Sequence, residues 1–121
     1  MKVLVIGYAA HALERTASEL RDSGCEVVSK LGCGPALEGL SQSVVPAVVL
    51  DRSVPELSKL LLCRRILQLY PNLRVVVVAG DTNPTSFPAE CILLPASVTP
   101  QVLVAALEGA GSSIGTDLAL I

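Results

Sequence analysis

The 121-residue sequence contains no tryptophan, one phenylalanine, two tyrosines, one methionine and one histidine. Without aromatic volume, a core has to be assembled from Val, Leu, Ile and Ala, and a hydrophobic content of 51% is ample for that. Basic residues are also scarce. Nine Lys and Arg, scattered along the chain against eleven Asp and Glu, leave a net charge of -2. That is no electrostatic footprint for nucleic acid, and direct binding to it is disfavoured. Four cysteines, at 25, 33, 63 and 91, have no Cys-x-x-Cys spacing, and the lone His11 does not complete a familiar zinc set with them. Reduced, structural thiols are the expectation, and no metal or cofactor is implied. His11 reads as a first-turn surface residue rather than a ligand or phosphodonor, since nothing nearby supplies a second catalytic group.

Long apolar runs are missing too, so no stretch approaches the roughly 18 residues of a membrane span. The start, MKVLVIGYAAHA, imitates a signal peptide, with a lysine, an apolar run and a small-x-small site at Ala10-His11-Ala12. Val3 to Ile6 is nevertheless too short for a secretory core and suits a first buried strand. A cytoplasmic protein is expected. The length fits one domain, placed at 1–110. Residues 111–121 then read as a flexible Gly/Ser tail or linker, with a docked apolar strip, DLALI, as the alternative.

Apolar patterning supplies the elements. KVLVIG is a β-branched strand, followed by a helix from Ala10 to Ser23 with Leu13, Ala17 and Leu20 on one face. CEVVSK, AVVLD, NLRVVVVAG and CILL read as further strands. GPALEGLSQS, PELSKLLLCRRILQLY and TPQVLVAALEGA read as helices, the last started by Thr99 with Pro100 in its first turn. Strands this apolar are buried on both faces. The alternation therefore predicts an α/β fold with a flavodoxin-like, doubly wound parallel sheet of five strands in the order 2-1-3-4-5. Its ligand crevice falls at the ends of strands one and three, near Gly7, Tyr8 and Asp51. Between strands four and five only DTNPTSFPAE remains, with Pro84 and Pro88, so the fourth helix of the pattern is expected to be short or absent.

Four segments, KVLVIG, PAVVLDRSVP, LCRRILQLYPNLRVVVVAG and ILLPASVTPQVLVAAL, in this order and spacing, resemble the response-regulator receiver domain of two-component signalling over about residues 2 to 110. The resemblance implies a phosphoacceptor aspartate at Asp51, a magnesium-binding acidic pair after strand one, a hydroxyl residue ending strand four, and a lysine before Pro95. It also implies an aromatic on strand five that follows the hydroxyl inward on activation. Here the acidic pair is Gly7 and Tyr8, the hydroxyl position is Ala79, the lysine position is Leu94 and the aromatic position is Cys91. Mg²⁺ needs oxygen ligands and charge compensation that a glycine and a phenol do not supply. Alanine cannot donate to a phosphoryl oxygen, and leucine cannot neutralise its charge. With Ala79 and Cys91 expected to face each other, the switch is missing too. The sequence resembles a receiver without its phosphorylation machinery, a pseudo-receiver.

Asp51 then has two readings. In one it caps the following turn, accepting backbone N–H groups, with Arg52 neutralising it. In the other it remains the phosphoacceptor of a working single-domain receiver. A third possibility, a nucleotide or cofactor site at VLVIGYAAHA, matches only Gly7 of a dinucleotide fingerprint, since Ala9 and Ala12 replace the other glycines. The expected role is that of a non-enzymatic interaction module in bacterial signal transduction, partnered by a signalling protein, a fused output domain or a second copy. The third helix carries more apolar residues than one core stripe needs, and the last has few charges. Leu62 and Val104 are the candidate interface positions.

Overall fold

The computed structural model describes residues 1–42, 45–79 and 87–108, with residue 79 described in its backbone alone. Five strands, β1 (Lys2–Gly7), β2 (Glu26–Leu31), β3 (Ala47–Leu50), β4 (Arg74–Ala79) and β5 (Ile92–Pro95), form one parallel sheet in the order β2-β1-β3-β4-β5. Helices α1 (Ala10–Asp22), α2 (Cys33–Gln42), α3 (Glu56–Leu69) and α4 (Pro100–Glu108) complete the described elements.

The strands alternate with period two between two apolar layers. Leu4, Ile6, Val48, Leu50, Val75 and Val77 face α2 and α3, where Leu40, Leu62 and Ile66 meet them. Val3, Val5, Val49, Val76 and Val78 face α1 and α4, where Leu13, Leu20, Leu103 and Leu107 close the opposite layer. Aliphatic side chains fill both layers almost alone, Phe87 being the one aromatic among the buried core residues.

Local chemistry sets the boundaries. Gly24 and Gly32 adopt φ of +96° and +98°, the left-handed conformation that lets the chain leave α1 and turn from β2 into α2. Thr99 begins α4 as expected, its hydroxyl accepting the Val102 N–H at 3.3 Å. Between β4 and β5 the described residues 87–91 form bends and turns rather than helix, in line with the proline content. Residues 80–86 and the expected tail at 111–121 lie outside the described residues.

Strand five runs one residue later than expected. Its register pairs Ala79 with Pro95 and Val78 with Leu94, and it begins at Ile92. Cys91 is therefore not opposite Ala79 but at the far end of the strand, packed beneath α3. The shift arises because CILL and ILLP are equally apolar, and only pairing with β4 chooses between them.

Candidate functional site

Asp51 follows the last residue of β3, and its backbone N–H donates to the Ile6 carbonyl of β1 at 2.9 Å. This bond keeps the residue at the sheet's carboxyl edge. Its side chain turns inward and is fully buried. Oδ1 accepts the Ser53 backbone N–H at 2.7 Å and also the Ser53 hydroxyl. The capping role read from sequence is thus present, with Ser53 as the partner.

Ser53 does more than close that turn. Its oxygen accepts the Tyr8 N–H at 2.9 Å and the Ala9 N–H at 3.1 Å. One hydroxyl therefore uses its donor on Asp51 and both acceptor sites on the approach to α1. Ala9, which precedes that helix, brings no side-chain cap of its own. Sequence reasoning passed over Ser53, although the Asp-x-Ser spacing of a side-chain-closed turn was a local signal for it.

The other carboxylate oxygen, Oδ2, is buried with no hydrogen-bond partner. It lies against Gly7. A Cβ added at residue 7 would stand 2.5 Å from Oδ2, 3.0 Å from Cγ and 2.9 Å from the Leu13 Cβ. The expected acidic position is thus filled by the aspartate itself, and glycine is there because nothing larger fits. The adjacent Tyr8 is 38% exposed.

Charge compensation comes from an unexpected direction. Arg52 is exposed, and the described residues contain no ion pair between it and Asp51. Lys59 of α3 is instead only 5% exposed and within electrostatic reach of Asp51. Burial lowers the Lys59 ammonium pKa, while Glu56 first and Asp51 next oppose that shift. Sequence patterning missed it because a lone lysine in the first turn of a helix reads as a solvated charge.

The remaining expected site residues scatter. Leu94 packs into the α1/α4 layer, and Pro95 is exposed at the strand end. The Ala79 side chain lies outside the described residues. Leu62, expected at an interface, is 1% exposed and belongs to the core, because its face of α3 points at β3 and β4. Val104 is half-buried against the α1/α4 layer. The apolar excess of α3 that does reach solvent is Leu57, Leu61 and Leu69, and on α4 it is Val102.

Chemically the arrangement can hold a turn and a helix start together. It offers a hard dication one carboxylate with one oxygen already bonded and the other turned into the protein. Among the described residues no group of three His, Cys, Asp or Glu is placed to hold a metal ion. The residues present do not fit the magnesium site of a working receiver, because octahedral oxygen coordination needs ligands at the position of Gly7 and Tyr8.

No family model matches the chain, and no curated protein matches it in sequence. Solved structures do match. A response regulator receiver domain protein from Clostridium thermocellum aligns with a TM-score of 0.76 at 22% identity, covering 99% of this chain and 98% of that one. The signal receiver domain of an HD domain-containing protein from Pseudomonas fluorescens Pf-5 gives 0.77 at 21% identity, covering 95% and 97%. Chemotaxis protein CheY4 of Vibrio cholerae gives 0.77 at 18% identity, covering 88% and 95%. The chain has the receiver fold. Among the described residues no helix is long and apolar enough to cross a membrane.

Proposed function

We propose that the chain is a receiver-like signalling module that acts without phosphorylation, by binding a signalling protein, a fused output domain or a second copy of itself in the cytoplasm. It catalyses no reaction of its own on this reading. One observation carries it: both oxygens of Asp51 are withdrawn from solvent, Oδ1 by Ser53 and Oδ2 by the Gly7 backbone. A nucleophilic carboxylate must reach a donor phosphorus in line, and here the reacting oxygen faces the interior. The absence of ligating oxygens at Gly7 and Tyr8 supports the same reading, and the fold likeness supports a place in signal transduction.

The test is incubation of the full chain with Mg²⁺ and either acetyl phosphate or beryllium fluoride, read by intact mass and amide NMR. No adduct and no magnesium-dependent shifts around Asp51 are expected. A stoichiometric phosphoryl mass on Asp51 would overturn the proposal in favour of a working receiver. For the binding half, Leu61→Asp on the exposed ridge of α3 should weaken self-association or partner capture in size-exclusion and pull-down measurements. Unchanged association in that variant removes α3 as the binding surface.

A further inference from the structure

Two of the four thiols are brought together by the fold. Cys63 lies in the middle of α3 and is 0% exposed, in the apolar layer with Leu62 and Ile66. Cys91 stands immediately before β5, half-buried, and packs against that same layer. Cys91 thus packs against the cluster that contains Cys63, and the two thiols are near enough to influence each other's ionisation. The other two are kept apart. Cys25 belongs to the layer on the opposite face of the sheet. Cys33 opens α2 and touches the same apolar layer from the β2 edge of the sheet, whereas Cys91 stands at β5, the opposite edge.

We propose that Cys63 and Cys91 are a reversible redox site, in which a peroxide oxidises the two thiols to a disulfide joining α3 to the start of β5. The proposal does not depend on the reading of Asp51. All four cysteines are free thiols in the structure, so the reduced form is the one described. Disulfides of reducing compartments are typically transient and sensory rather than permanent, and a preformed thiol pair suits that use.

The two sulfurs differ in a way that assigns their roles. Interaction with the Cys63 side chain favours the Cys91 thiolate and lowers its pKa against the opposing effects of burial and Glu90. The same interaction, together with burial, raises the Cys63 thiol. Cys91 is half-buried where Cys63 is fully enclosed, so Cys91 is the sulfur a peroxide reaches first, the attacking group, and Cys63 is the resolving one. The Cys91 thiolate attacks one peroxide oxygen, the O–O bond breaks, and the departing hydroxide takes up a proton to leave as water. The Cys91 sulfenic acid is then attacked by the Cys63 sulfur, whose proton leaves with the displaced hydroxide as a second water. Two thiols lose two electrons and one peroxide becomes two waters. Cys91 lies in a bend outside the sheet ladder, so its movement toward Cys63 breaks no strand pairing.

The experiment exposes the full chain to graded hydrogen peroxide, quenches it in guanidinium with N-ethylmaleimide, and reads intact mass and peptide maps. The expected result is a fall from four alkylated thiols to two, a linked peptide containing Cys63 and Cys91, and full recovery with dithiothreitol. Cys63→Ser should stop at a dimedone-reactive sulfenic acid on Cys91, and Cys25→Ser should leave the crosslink intact. Four alkylatable thiols at every dose, a link involving Cys25 or Cys33, or irreversible Cys91 oxidation without a crosslink in the parent protein each overturn the proposal. The parent measurement needs no variant to fold.

Discussion

The packing of Asp51 against Gly7 can be tested by adding one methyl group. Gly7→Ala places a Cβ 2.5 Å from Asp51 Oδ2 and 2.9 Å from the Leu13 Cβ. Neither neighbour yields easily: Leu13 is held on the buried face of α1, and Asp51 is tied through Oδ1 to the Ser53 turn. Overpacking of this kind costs about 1–3 kcal/mol, which lowers the melting temperature of a domain this size by about 5–15 °C. The cost should depend on the carboxylate. In an Asp51→Ala background two of the three close contacts vanish and only Leu13 remains, so Gly7→Ala should cost at least ~1 kcal/mol less there. Urea denaturation of the parent, both single variants and the double variant closes the cycle, with midpoints compared at constant m-value. An equal cost of Gly7→Ala in both backgrounds would refute the packing of Asp51 onto the glycine, and with it the argument that the acidic position is closed.

Other perturbations follow from the same geometry. Ser53→Ala removes a hydroxyl that donates to Asp51 and accepts from Tyr8 and Ala9, and should destabilise by about 2 kcal/mol in chemical denaturation, with hydrogen exchange at Tyr8 and Ala9 accelerated. Unchanged protection at those amides refutes the bridge. Leu62→Ala, in the core, should cost about 2–5 kcal/mol, whereas exposed Leu61→Ala should stay within about 0.5 kcal/mol, and thermal melts of the two neighbours separate core from surface. Burial lowers the Lys59 pKa from 10.5, so between the folded and unfolded values the unfolded chain binds more protons and stability gains with rising pH. Lys59→Met should remove that component, seen as a flatter difference in urea midpoints as pH rises toward 10.5; parallel curves for parent and variant refute it. The 63–91 disulfide closes a loop between α3 and β5, and a loop of this length is worth about 3–4 kcal/mol where it introduces no strain, so oxidised protein should melt above reduced protein.

The strands of this chain were legible locally because valine-rich runs bounded by Gly, Pro and Asp can satisfy few other structures. Parallel order followed from the helices read between the first four strands, since a right-handed connection leaves little choice of neighbour. Asp51 could be placed at the site by the same means, as the polar residue ending an apolar strand. The loss of the acidic pair was visible in Gly7 and Tyr8 themselves.

Tertiary structure alone decided what those residues face. Ser53 meets Tyr8 and Ala9 across 45 and 44 positions of chain, and no local pattern encodes a bond of that span. The same holds for Lys59 buried within electrostatic reach of Asp51, for Leu62 inward and Leu61 outward, and for Cys91 under α3 instead of opposite Ala79. Apolar periodicity determines which elements form, because each element must bury one face. Which side chains then meet depends on register and helix rotation, and those are chosen only when the sheet and its two layers pack together.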